Sequence, residues 1–139
     1  MSELDAAKEA GIFLLGNTND AYAQYFSGQS YLNPLVADPA IPVNVGNVTF
    51  ESGCRNNWHR HINGGYQLLL VTAGKGWYQE AGKKPQKLTV GDVVVIKEGV
   101  KHWHGAAKNS WFAHVAITAG ASEWLEAVSD EEYDQLPDA

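Results

Sequence analysis

The chain's five histidines all lie between His59 and His114, so its capacity to bind metal and move protons is concentrated in its middle. Four of them form two H-x-H pairs, His59-Arg60-His61 and His102-Trp103-His104. Imidazole ligates zinc, copper, iron and nickel and titrates near neutral pH, so such a cluster can hold an ion, move a proton, or do both. Residues i and i+2 of a β-strand point to the same face, so each pair aims two imidazoles one way. Histidines kept out of the first 58 residues and then gathered among strand-like segments point to one shared site.

The elements that would position them read as short strands. Val43–Ser52 is a first run, closed by Gly53, and Asn57–His61 is short and polar. Asn63-Gly64-Gly65 reads as a turn, followed by the nearly continuous apolar run Gln67–Thr72. Trp77–Glu80 and Gln86–Thr89 flank a hairpin turn at Ala81–Pro85, and Val93–Ile96, His102–Gly105 and Trp111–Thr118 complete the series. Upstream, Tyr31–Leu35 is an extended edge segment, because Pro34 cannot occupy a central strand. Helical segments are expected at both ends, within 3–27 (Glu3–Ala10 and Asp20–Phe26) and within 121–136. In the second, Ser122 would cap the helix, with Leu125, Val128, Tyr133 and Leu136 on its inner face. The expected fold is all-β, a sandwich or barrel with its core at about 43–118, in a single domain over 1–139.

Composition narrows the partners. With 139 residues, 45% hydrophobic, the chain can bury a well-packed core. A formal charge of −6 offers no attraction to nucleic acid or to an anionic membrane. The single cysteine, Cys54, excludes an internal disulfide and reads as a buried, inert thiol. No basic start followed by an apolar run marks a signal peptide, and no stretch approaches the ~20 apolar residues of a membrane span. A cytoplasmic location is therefore expected. Trp58 and Trp103 sit beside histidines but on the opposite strand face, so they should pack outside the pocket. With the edge segment near Tyr31, they suggest a homodimer.

Two blocks carry a family resemblance. The first runs Gly53, five residues, His59-x-His61, five residues, Gln67, six residues, Gly74; the second runs Gly91, five residues, Lys97-x-Gly99, two residues, His102. They resemble the paired motifs of the cupin superfamily, which implies a small jelly-roll β-barrel over about Val43 to Thr118. Carried over position by position, the resemblance implies that His59, His61, Gln67 and His102 bind one divalent transition metal. The chain departs from the usual pattern in three places. Gln67 stands for a glutamate, the gap before it is one residue longer than usual, and Lys97 and Ala106 replace a proline and an asparagine. Three imidazoles and a carboxamide are all neutral, so a bound ion would keep its full charge and act as a stronger Lewis acid. Such donors suit Mn, Fe, Ni or Zn.

A narrower resemblance lies in Lys101–Ala107 and Ala113–Ile117. These segments are similar to small bacterial cupins with a three-His, one-Gln manganese site, a group that includes hydroxynitrile lyases and carboxymuconolactone decarboxylase-associated cupins. The resemblance places manganese first among the ions and implies proton transfer by His114. The strand pattern agrees, since Phe112, His114, Ala116 and Thr118 share one face and a histidine among apolar neighbours can hold a shifted pKa. His104 is read as a hydrogen-bonding neighbour, a catalytic group or a substrate contact, Thr118 as a substrate contact, and Val48 and Phe112 as barrel core or substrate contacts. The expected function is metal-dependent chemistry on a small molecule, of lyase type, with a dioxygenase or a non-catalytic sensor or accessory cupin as alternatives.

Overall fold

The computed structural model describes residues 11–137. Eleven strands follow one another: β1 (Asn17–Thr18), β2 (Phe26–Ser27), β3 (Ser30–Pro34), β4 (Asn44–Phe50), β5 (Arg55–Asn56), β6 (His59–Gly74), β7 (Gly76–Glu80), β8 (Gln86–Leu88), β9 (Val93–Ile96), β10 (His102–Ala106) and β11 (Phe112–Trp124). A 3-10 turn occupies Asp20–Tyr25, and one short helix, α1, spans Asp130–Asp134. The strands form one antiparallel sheet in the order β1-β3-β4-β11-β6-β10-β5-β2, with β7 and β9 branching from β10 and β6. This is the mostly-β, curled half-barrel of a jelly roll. No helix among the described residues is long and apolar enough to cross a membrane.

The long strand β6 is the spine of the sheet. Its inward residues Gln67, Leu69 and Val71 face Thr118, Ala116 and His114 of β11. Phe50, Leu69, Leu88, Ile96 and Phe112, all nearly or fully buried, form the inner core. Asn63-Gly64-Gly65 does not turn the chain. It is a bulge inside β6, where Asn63 and Gly64 take left-handed φ values of 57° and 75°. Ile62 and Tyr66 still face Ala121 and Ala119, so the extra residues are looped out and the strand resumes in register. Gly65 is required there, because a Cβ would lie 2.6 Å from the Ile62 carbonyl oxygen and 2.8 Å from that of Ala119.

Two expectations about the ends are corrected, and a third lies outside the described residues. The proposed helix Glu3–Ala10 lies outside the described residues. Asp20–Phe26, expected to be helical, forms only a 3-10 turn over Asp20–Tyr25 and passes into β2 at Phe26. At the other end β11 continues to Trp124, because Ser122 and Trp124 pair with His61 and His59 rather than opening a helix. The helix starts later, at Ser129, whose side chain accepts from the Glu132 amide in a capping box.

The tryptophans are also corrected. Trp58, Trp77 and Trp103 face outward from the pocket as alternation demands, yet they are only 7%, 4% and 1% exposed. Val128, Tyr133 and Leu136 close over them as a second core. Arg55 ties this cover down. Its Nη2 donates to the Val128 carbonyl at 2.9 Å and to Asp130 at 2.6 Å, and its guanidinium lies over the Tyr133 ring. Tyr133 Oη donates to the Ala106 carbonyl at 2.6 Å.

β5 crosses β10 at very short range, and Gly105 makes this crossing feasible. A Cβ at Gly105 would meet the Arg55 Cα at 2.6 Å and the Cys54 carbonyl oxygen at 2.6 Å. Neither atom belongs to a flexible side chain end, so Gly105→Ala should cost about 1–3 kcal/mol through forced separation of the strands. Urea unfolding measures this, and an unchanged midpoint would show that the crossing has slack.

Candidate metal centre

Three strands converge to build the site. β6 contributes His59, His61 and Gln67; β10 contributes His102 and His104; β11 contributes His114 and Thr118. His59 lies between two partners, paired with His102 on one side and Trp124 on the other. The bulge decides the fate of Gln67. His61 and Gln67 are opposite Ser122 and Thr118, four residues apart on β11 although six apart on β6. The longer gap is thereby absorbed, and both side chains stay on the inner face.

The five imidazoles are buried, none more than 3% exposed, and Gln67 is 7% exposed. Ring centroids of His59 and His102 lie 4.1 Å apart, and His61 is 5.3 Å from each. His59, His102 and His104 each bring a nitrogen within 4.8 Å of the others. The hydrogen bonds show which nitrogens are free. His59 Nδ1 donates to the Asn57 carbonyl and His102 Nδ1 to the Val100 carbonyl, both at 2.8 Å. A carbonyl only accepts, so both rings carry their proton on Nδ1 and keep a lone pair on Nε2. His102 Nε2 is buried with no partner. Gln67 Nε2 donates to Thr118 Oγ1 at 2.9 Å, which turns Oε1 toward His61 Nε2, 3.2 Å away. Donors on neighbouring vertices around an ion with ~2.1 Å bonds lie roughly 3 Å apart, so this contact has the spacing of two ligands to one ion. The donors present fit a divalent ion.

His104 and His114 form a separate pair. His114 Nε2 lies 3.0 Å from His104 Nδ1, and the His104 backbone N–H donates to Asn56 Oδ1 at 2.9 Å. His114 Nδ1 is buried without a partner.

All five imidazoles are held neutral. Burial lowers His59 and His104 well below the usual histidine range, the neighbouring His102 and His114 adding to the effect respectively. Burial lowers His61 too, against the opposing effect of a hydrogen bond to Gln67 Oε1, and brings His102 down to about 4 and His114 to about 3. Neutral imidazole is the ligating form, so no proton needs to leave before an ion binds. Cys54 is 1% exposed, and burial pushes its thiol up to about 12, which leaves it inert.

A cavity of about 550 Å³ opens onto this cluster. His59, His61, Gln67, His104 and His114 line it, together with Val48 and Thr118 and an apolar wall that includes Phe26, Leu32 and Phe50. Phe112 is not on that wall. It packs in the core against Phe50 and His114, because the strand turns its ring beneath theirs. His102, fully buried, packs on His59 and His61 instead of lining the cavity. Sequence reasoning missed Asn56, Ser122 and Trp124. Ser122 contacts His61 Nδ1 at 3.1 Å, and Trp124 stacks on His59 with Tyr25 on its other face, both at 4.5 Å. The expected helix hid the last two, and no periodic signal marks Asn56.

The family model for the cupin domain matches residues 46–118. The chain belongs to the cupin family. It is similar to an (R)-mandelonitrile lyase of Granulicella tundricola, 44% identical over 117 residues that cover 80% of this chain and 87% of that protein. It is also similar to a cupin-like protein of Thermotoga maritima, 41% identical, with a TM-score of 0.82 over 89% of this chain and 95% of that one. A DMSP lyase of Ruegeria pomeroyi shares the fold alone, at 17% identity and a TM-score of 0.59 over 79% of this chain and 56% of that one. Within this cupin barrel the histidine cluster is a site able to hold a metal ion.

The depressed imidazoles have a measurable consequence in metal-free protein. Each histidine takes up a proton near 6.5 when unfolded but resists it when folded, with His102 holding out to about 4 and His114 to about 3. Stability is therefore full above pH 6.5 and falls as pH drops through that window. The slope reaches about 1.4 kcal/mol per pH unit for each such group. Thermal midpoints of chelator-treated protein should drop steeply from pH 6.5 to pH 4; a flat profile would contradict the burial of these rings.

Proposed function

We propose that the protein is a metal-dependent lyase acting on a small hydroxyl-bearing substrate of the cyanohydrin type. One observation carries this reading: His59, His61, Gln67 and His114 line one cavity, with His102 packed on His59 and His61 just behind it. The 44% identity to an (R)-mandelonitrile lyase supports the same reaction class. His59, His61 and His102 are assigned as ligands over His104, because His61 Nε2 lies 3.2 Å from Gln67 Oε1 while His104 Nδ1 is engaged with His114 Nε2. A divalent ion bound there would supply Lewis acidity to an oxygen or nitrile-type group of the substrate.

The chain's own residues supply the rest. The Asn57 and Val100 carbonyls fix the tautomers of His59 and His102, and Thr118 fixes the amide of Gln67, so the donors are oriented before anything binds. Phe26, Leu32, Val48 and Phe50 form an apolar wall that accommodates the organic part of the substrate and excludes water from it. In cleavage the hydroxyl proton is lost, the C–C bond electrons leave with cyanide, and cyanide takes up a proton, giving aldehyde and hydrogen cyanide. His114, neutral and enclosed, is the group placed to handle that proton. The reading includes manganese as the first choice of ion, a cytoplasmic location and a homodimer. For the last, the support is the open edge of β9, where Val93 and Val95 are 59% and 60% exposed.

Two outcomes test the proposal. His114→Ala should keep its metal and lose cleavage of (R)-mandelonitrile by roughly 10²–10⁴-fold in kcat. Wild-type protein that holds metal but leaves this and other cyanohydrins intact would favour a binding role. Gln67→Glu should bind metal at least as tightly but react more slowly, since a carboxylate partly neutralises the ion; an unchanged rate would remove the role given to the neutral donor set.

A further inference from the structure

The cavity is far larger than a molecule such as mandelonitrile fills. Mandelonitrile is one phenyl ring on a carbon that bears a hydroxyl and a nitrile, whereas a cavity of about 550 Å³ falls among those that take drug-sized ligands. The surplus has a definite place in the sheet. On the inner faces of β3, β4 and β11 the register sets three rows across the cavity: Leu32, Val48 and His114; Pro34, Gly46 and Ala116; then Asn44 and Thr118. Barrel interiors are ordinarily filled by their side chains, yet the middle row sets a glycine opposite an alanine. Leu32 sinks into the space that a side chain at position 46 would take, its Cδ1 lying 3.0 Å from where a Cβ would be. It lies low along the wall, and the lumen beyond Val48 stays open.

This wall passes from closed to open along its length. Phe50, fully buried, lies 5.4 Å from the His114 ring at the inner end. Val48 and Leu32 are half-buried, Pro34 is exposed, and Val36, 37% exposed, stands at the mouth. All five side chains are apolar. Successive inward residues of a strand lie about 6.6–6.8 Å apart, so the track from the His114 row to the Asn44 row is about 13 Å long. One phenyl ring covers its inner part, and two rings in line cover it all. We propose that the preferred substrate carries an elongated apolar substituent, two ring-lengths rather than one, laid along this track with its far end at the mouth. Gly46 is the specificity-determining residue that keeps the track open.

This deepens the lyase reading and rests on it only for the reacting end of the substrate, at the histidine cluster. The track itself supplies affinity by taking apolar surface out of water. A side chain at position 46 would act twice, filling part of the track and lifting Leu32 into the rest. Gly46 does not take a left-handed φ, and the nearest atom to a Cβ there is the end of a flexible side chain. Valine suits a strand at such a position, so the track can be closed without straining the backbone.

The test separates binding from turnover. Isothermal titration of the protein as purified compares benzyl alcohol with 4-benzyloxybenzyl alcohol, neither of which is a cyanohydrin. The longer alcohol should bind the wild type at least about 10-fold more tightly, through the extra apolar surface it buries; a smaller ratio overturns the proposal. In Gly46→Val that ratio should fall below about 3-fold, and a folded variant that keeps the wild-type ratio also overturns it. Val36→Asp, at an exposed position, should weaken the longer alcohol roughly 5-fold or more and leave benzyl alcohol unchanged; equal effects on both again overturn it. In turnover, kcat/KM for the (R)-cyanohydrin of 4-benzyloxybenzaldehyde should exceed that for (R)-mandelonitrile about 10-fold, and equal values contradict the assigned substrate class. Protein that shows the binding preference, and its loss in Gly46→Val, but cleaves neither cyanohydrin rejects the lyase reading and leaves the track standing.

Discussion

Five imidazoles and a carboxamide sit inside an otherwise apolar barrel, and the fold has to satisfy them. Each buried polar atom left without a partner costs about 1–3 kcal/mol, so most of the site's nitrogens are committed to fixed hydrogen bonds. Asn57 and Val100 carbonyls hold the Nδ1 protons of His59 and His102, Ser122 meets His61, Thr118 holds Gln67, and Asn56 grips His104. The fully buried imidazole nitrogens left without a partner are His102 Nε2 and His114 Nδ1. One belongs to the His59–His61–His102 cluster and the other to the His104–His114 pair. Burial favours the neutral form of every ring, and it makes each nitrogen without a partner costly to leave so.

The sheet meets this constraint by exact placement of irregularities rather than by regular pleating. The bulge at Asn63–Gly65 loops extra residues out of β6, so His61 and Gln67 both face inward although six residues separate them. Gly120, at φ 72°, sits opposite it and lets β11 pass without collision and run on to Trp124. Gly105 permits the crossing that brings Asn56 to His104. Outside the barrel, the tail from Val128 to Leu136 seals three tryptophans against the backs of the ligand-bearing strands. The aromatic layer thus backs the site, and the Arg55 contacts fasten that layer to β5.

Much of this was legible in the sequence where local rules decide it. The H-x-H spacing gave two imidazoles per strand face, the apolar alternation gave the strands, and the two motif blocks gave the cupin barrel. What escaped depends on non-local partners. Asn63-Gly64-Gly65 has the composition of a turn, and only pairing with β11 on both sides keeps it within one strand. Ser122 and Ser129 both can cap a helix; pairing of Ser122 with His61 excludes the first. Trp58 and Trp103 do face away from the pocket, but the residues that cover them return from the far end of the chain, which alternation cannot report. Asn56 is tied to the backbone of a residue 48 positions away, and nothing in its neighbourhood distinguishes it from Asn57.

The central claim is that this neutral, pre-oriented cluster holds one metal ion per chain. Elemental analysis of protein purified without chelators tests it most directly. Close to one equivalent of Mn, Fe, Ni or Zn per chain, lost in the His59→Ala/His61→Ala double variant, is the expected result. Protein that carries no metal, even after incubation with each of these ions, would contradict the account and leave a barrel with a buried histidine network of another purpose.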